Sequence, residues 1–168
     1  MTDSRFNYGQ TPNEQKRKEK DMFYFIANQI RRFFWRIIKP TTVGVKILCL
    51  NNEKVLLIKT SYSPGWQLPG GGVRKGETAL EAAARELKEE CNITQANLRL
   101  EGIYSNFFEG KNDHIVLFST ELSKLYFKKS HEILECRFFE LDGLPEISPG
   151  NKRRIEEYIN GKFHSGKW

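Results

Sequence analysis

The chain has 168 residues, a formal net charge of +6, and 39% hydrophobic against 29% charged residues. That is enough apolar material for one domain with an appendage, and it excludes a chain disordered throughout. The basic balance favours anionic partners, whether nucleotides, nucleic acid or acidic lipid, without choosing among them.

The N-terminus opens on polar residues instead of a basic stretch followed by an apolar core, so a secretory signal is not expected. No apolar run reaches the roughly 20 residues that span a bilayer. Cys49, Cys91 and Cys136 form neither a CxxC pair nor a zinc spacing. They read as buried free thiols in a reducing compartment, and the expected location is the cytoplasm.

In chain order, a polar lead-in ends in the charged run Gln15 to Lys20. From Asp21 to Lys39, Phe23, Ile26, Ile30, Phe33, Phe34, Ile37 and Ile38 recur at helical steps, with Arg31, Arg32 and Arg36 on the other side and Pro40 as the stop. This amphipathic helix has three readings: packing on the domain that follows, self-association or partner contact, or an anionic membrane surface. It sets a boundary, with an N-terminal extension over 1–40 and a domain over 41–168.

Val43 to Leu50 and Val55 to Lys59 read as strands joined by an Asn51-Asn52 turn. A loop through Pro64-Gly65 and a short Trp66-Gln67-Leu68 strand lead to Gly70-Gly71-Gly72. Further strands are expected over Leu98–Phe108, with a bend at Gly102, over His114–Leu122 and over Leu134–Leu141. Ser148-Pro149 opens a helix running to Ile159, and the tail from Gly161 is expected to be loose. The sum is an α+β domain with a mixed sheet flanked by helices.

Leu68 to Ile93 carries the chemistry. Thr78 followed by Glu81 is a capping-box pattern, so a helix starts just after Glu77. Leu80, Ala83, Ala84, Leu87 and Cys91 share its expected buried side. Glu86, Glu89 and Glu90 gather within roughly 100° on a neighbouring sector, with the small Ala82 among them. Three adjacent carboxylates repel unless a cation sits between them, and Mg²⁺ or Mn²⁺ suits all-oxygen donors. The alternative is an ordinary solvated helix face, against which the adjoining glycine loop weighs.

Gly71, five residues, Glu77, seven residues, then Arg85-Glu86-Leu87-x-Glu89-Glu90-x-x-Ile93 resembles the signature of the Nudix hydrolases. Asn92 stands where that family has glycine, at a helix end where Asn is the next residue best able to turn left-handed. The resemblance implies an α/β/α sandwich and a divalent-metal-dependent hydrolase. Its reaction would be water attack on phosphorus, cleaving a nucleoside diphosphate linked to another group. It also implies Glu86, Glu89, Glu90 and the Gly70 carbonyl as metal ligands, and Arg85 paired with Glu77 to orient the glutamates. Glu86, Glu89 or a later-loop glutamate, of which Glu132 is the best placed, would be the general base.

Lys59, Arg74, Lys75 and Lys111 are candidates to hold phosphate, and Trp66 and Tyr62 to stack a base, each against a plain surface or packing role. His114 reads as structural and His131 stays open. Two other readings remain: a catalytically silent Nudix-fold nucleotide-binding or regulatory module, and an RNA 5′-end pyrophosphohydrolase. All three metal glutamates are present, which disfavours the first. The basic residues form no stripe interleaved with aromatics, which disfavours the second. Phe107-Phe108-Glu109-Gly110 holds neither the proline nor the tyrosine that mark ADP-ribose and dinucleoside polyphosphate substrates in the family.

Overall fold

Among the described residues the order is β1 (Thr41–Asn51), β2 (Lys54–Thr60), β3 (Trp66–Gln67), α1 (Ala79–Cys91), β4 (Arg99–Phe108), β5 (Lys111–Glu121), β6 (Ile133–Glu140), α2 (Pro149–Ile159) and β7 (Gly166–Lys167). The computed structural model describes residues 22, 41–108, 111–123, 125, 127, 129–163 and 166–168. The helix expected over Asp21–Lys39 lies outside these, Met22 apart. The chain divides into Met1–Lys39 and Pro40–Trp168.

The strands form one mixed sheet in the order β3-β2-β1-β5-β4-β7, with β6 pairing β2. Alternation along β1 and β2 splits the core into two layers. Val45, Ile47, Cys49, Leu56 and Ile58 point to one side, where Ala82, Ala83, Leu87 and Cys91 of α1 cover them. Leu48, Leu50, Val55 and Leu57 point to the other, with Leu68, Tyr104 and Ile155 of α2. All three cysteines are free and buried. No helix among the described residues is long and apolar enough to cross a membrane.

One feature of the sheet makes room for the site. β1 pairs with β2 only at the hairpin end, through Leu50↔Val55 and Asn51↔Lys54. The rest of that edge is taken by the glycine loop: Ile47 N–H donates to Pro69 O (3.0 Å), Val45 N–H to Gly71 O (2.8 Å), and Val73 N–H to Val43 O (2.9 Å). The loop is therefore held by a strand edge.

α1 begins as its sequence predicts. Thr78 caps the helix and the reciprocal capping box with Glu81 is complete. At the other end Asn92 is left-handed (φ 58°, ψ 33°), the conformation expected of a residue standing in for glycine. Thr78→Ala is expected to cost about 1 kcal/mol. In a domain of this size that lowers the melting temperature by about 2–4 °C, readable by circular dichroism.

Two expectations need correction. The buried face of α1 is rotated: Ala82, Glu86 and Glu90 are buried with Ala83, Leu87 and Cys91, while Leu80 is 51% exposed and Ala84 is exposed. The strand edge brings the glycine loop over the glutamates, so they are covered by backbone polar groups that can bond to them. The tail is not loose either. Gly166–Lys167 pairs with β4, and Trp168 meets Tyr104 edge-on at 5.8 Å. The Arg154 guanidinium lies 3.9 Å over the Tyr104 ring and bonds Glu157 at 2.9 Å.

Candidate active site

Backbone and helix meet at Gly70 and Gly71. Gly70 N–H donates to Glu90 Oε2 at 2.7 Å, which ties the loop to the buried face of α1. A Cβ on Gly71 would stand 2.5 Å from Glu86 Oε1. A side chain at Gly71 would push the Glu86 carboxylate from this position.

Arg85 organises the acidic residues around it. Its Nε and Nη2 bond both oxygens of Glu77 (2.7 and 3.0 Å). Nη1 bonds Glu86 Oε1 at 2.7 Å and Glu89 Oε2 at 3.2 Å, and Nη2 also donates to Gly72 O at 3.0 Å. Glu77 in turn accepts from Arg74 N–H at 2.9 Å. One planar guanidinium thus fastens the loop, the residue before the helix cap and two helix glutamates.

The electrostatics are opposed within a few ångströms. The hydrogen bonds from Arg85, and then from the Arg74 amide, hold the Glu77 carboxyl down at about 2. Burial pushes Glu90 up to about 7 from its ordinary 4.5, against the pull of Lys46 and the Gly70 amide and helped by Glu86 and Glu132. Burial pushes Lys46 down, against the pull of Glu90 and Glu86.

The two carboxyls have opposite consequences for stability. Folded Glu90 holds its proton over a range where the unfolded residue has lost it, so it contributes stability that fades as pH rises from about 4.5 to about 7. Glu77 contributes stability present above 4.5 and lost as pH falls toward 2. Metal-free protein is therefore expected to melt at lower temperature at pH 7.5 than at pH 5. Glu90→Gln should flatten that decline, as melts across pH would show.

The remaining expected residues are distributed as follows. Arg74 reaches Glu89 at 3.2 Å and is largely exposed, and Lys75 is exposed. Lys59 stands 3.7 Å from Glu135. The Trp66 ring is buried, edge-on to Phe139 at 4.7 Å, with the Arg137 guanidinium 4.9 Å from its centroid. Its face is occupied by the protein. Glu132 is exposed, and its charge acts on both Tyr62 and Glu90. His114 Nδ1 lies 3.1 Å from Ser105 Oγ on the neighbouring strand, and His131 is exposed. The Lys111 side chain lies outside the described residues.

Lys46 joins the site without belonging to the signature. Its Nζ donates to Leu68 O at 2.7 Å and to Gly70 O at 3.1 Å. The available signal was a single charge inside the otherwise apolar strand Val43–Leu50.

The donor set is hard: carboxylates on one helix and a loop carbonyl, with no thiolate or imidazole among them. Its chemistry suits a divalent cation of the Mg²⁺ kind, as does the glycine cradle over Glu86. Among the described residues no three carboxylate, histidine or cysteine side chains converge on one metal position. Each glutamate is engaged, Glu86 by Arg85, Glu89 by Arg85 and Arg74, and Glu90 by the Gly70 amide.

The mixed sheet that presents a glycine loop to a glutamate-bearing helix is the arrangement that the sequence signature implies. The chain belongs to the Nudix family: the NUDIX domain model matches residues 40–158. It is 30% identical over 133 residues to the ADP-ribose pyrophosphatase of Methanocaldococcus jannaschii, covering 76% of this chain and 79% of that protein. It is 31% identical over 122 residues to a putative 8-oxo-dGTP diphosphatase of Bacillus subtilis, covering 71% and 81%. The solved NUDIX hydrolase from Nitrosomonas europaea superposes with a TM-score of 0.65 at 32% identity, over 76% of this chain and 78% of that one.

Proposed function

We propose that this protein cleaves the pyrophosphate bond of a nucleoside diphosphate linked to another group, by metal-assisted attack of water on phosphorus, within a catalytic domain spanning 41–168. The observation that supports this best is the union of Glu86 and Glu90, both buried, with the glycine loop. Glu86, Glu89, Glu90 and the Gly70 carbonyl would hold Mg²⁺ or Mn²⁺. When bound, such a metal lowers the pKa of water and neutralises phosphate oxygens. Arg85, fixed by Glu77, orients Glu86 and Glu89. Glu132, Glu86 or Glu89 would receive the proton from water. Arg74, Lys75 and Lys59 supply positive charge for the substrate phosphates.

Arg85 takes only Oε1 of Glu86 and Oε2 of Glu89, so these carboxylates could offer further lone pairs to a metal while Arg85 keeps them oriented and stays on Glu77. The names of the relatives, an ADP-ribose pyrophosphatase and an 8-oxo-dGTP diphosphatase, put a small nucleotide derivative first as substrate. The free buried thiols suit the cytoplasm.

A panel of nucleoside di- and triphosphates, nucleotide sugars, dinucleotides and 5′-triphosphorylated RNA, with Mg²⁺ and Mn²⁺, tests this by released phosphate or pyrophosphate. Turnover of at least one nucleotide derivative is expected, with Glu89→Gln slower by about 10²-fold or more. Silence across the panel would favour a binding module, and full activity in Glu89→Gln would remove that residue from the metal set. Deleting residues 1–39 and measuring size and liposome binding assigns the extension. A smaller assembly would mark it as a self-association element and lost liposome binding as a membrane contact.

A further inference from the structure

The glycine loop runs beside β1 with its carbonyls alternating. Pro69 O and Gly71 O accept from the amides of Ile47 and Val45. Leu68 O and Gly70 O are left over, and both are taken by one group, the Lys46 ammonium (2.7 and 3.1 Å). Lys46 lies on β1 between the two residues whose amides fix the loop. It is also near enough to Glu90 and Glu86 for their charges to act on it. Its partners are acceptors, as a cation requires.

We propose that Lys46 is a resident cation of this site, one that a divalent metal must displace from the Gly70 carbonyl. This rests on the metal centre set out under Proposed function. In metal-free protein Lys46 supplies positive charge to the loop carbonyls and to Glu90, whose hydrogen-bond partner is the neutral Gly70 amide, while Glu86 already has Arg85. The same position sets it against an incoming metal. A carbonyl oxygen has two lone pairs, but an ammonium and a dication sharing it repel strongly in a site partly screened from water. Lys46 therefore weakens metal binding in the absence of substrate, and the added negative charge of a pyrophosphate offsets that repulsion. Metal and substrate should then bind better together than separately.

The test is titration of metal-free, full-length protein with MnCl₂ by calorimetry, without substrate, comparing wild type, Lys46→Gln and Lys46→Arg. Glutamine retains N–H donors for the loop carbonyls and removes the charge. Lys46→Gln is expected to bind Mn²⁺ about tenfold more tightly than wild type, and to gain more in melting temperature on adding Mn²⁺. Lys46→Arg keeps the charge and is expected to bind no more tightly than wild type. If wild type binds Mn²⁺ and Lys46→Gln binds it equally or more weakly, Lys46 is a structural clamp and the inference falls alone. Tighter binding by Lys46→Arg also overturns it, and does so even where Lys46→Gln does not fold. If no form binds Mn²⁺, the metal centre falls and the inference with it.

Discussion

Glu90→Gln is expected to lower kcat/KM by about 10³-fold while raising the melting temperature of the metal-free protein at pH 8. The two effects have one cause. Glu90 is 7% exposed, and burial lifts its carboxyl to about 7, so at pH 8 its negative charge is held where the fold disfavours it. Glutamine has the same size, keeps an oxygen to accept from Gly70 N–H, and carries no charge to bury. The substitution therefore relieves the fold and removes an anionic metal ligand. Steady-state kinetics with Mg²⁺, together with melts in chelator, read both. A variant that loses activity and stability together would mark Glu90 as a structural anchor only.

Gly70→Ala is expected to be the most damaging loop substitution. Gly70 has φ +132°, a conformation an L side chain rarely adopts, and an added Cβ would lie 2.2 Å from Val45 O and 3.0 Å from the Lys46 Cα. Neither neighbour is the flexible end of a side chain; both belong to the strand edge that holds the loop. Backbone strain and forced overlap together cost about 3 kcal/mol or more. At this chain length that is a fall of about 10 °C in melting temperature. Activity should fall as well, because the displaced residue carries the amide that holds Glu90 and the carbonyl assigned to the metal. Gly72→Ala is the control: a Cβ there meets nothing within 4 Å, and its melting point should stay within about 2 °C of wild type.

The local features of the site were legible because local chemistry sets them. Thr78 and Glu81 read as a capping box and form one. Asn92 read as a left-handed helix end and is one. Strand positions followed from apolar runs to within a few residues, including the bend at Gly102, where the register of β4 against β5 shifts. What stayed hidden depends on contacts between distant segments. The parallel pairing of β1 with β5 over Thr41–Leu50 leaves no periodic mark in either strand.

The rotation of α1 was hidden for a related reason. Helical angles place Glu86 and Glu90 on a sector, but only the loop crossing above them makes that sector buried. The tail misread similarly. Gly166-Lys167-Trp168 has no strand pattern, and its order comes from an exposed β4 edge and the Tyr104–Arg154 pair waiting beneath it. Lys46 was visible as a charge in an apolar strand. Its partners are backbone carbonyls, which no sequence pattern reveals.

Metal held at Glu86, Glu89 and Glu90 would make attack of water on the pyrophosphate bond depend on both the cation and these carboxylates. Phosphorus NMR of one substrate from the panel separates the two, with wild type in Mg²⁺, in excess EDTA, and after Mg²⁺ is restored, beside Glu90→Gln in Mg²⁺. Cleavage between the two phosphorus atoms is expected with Mg²⁺, none in EDTA, recovery on restoring the metal, and almost none with Glu90→Gln. Undiminished cleavage in EDTA, or by Glu90→Gln, would contradict that dependence.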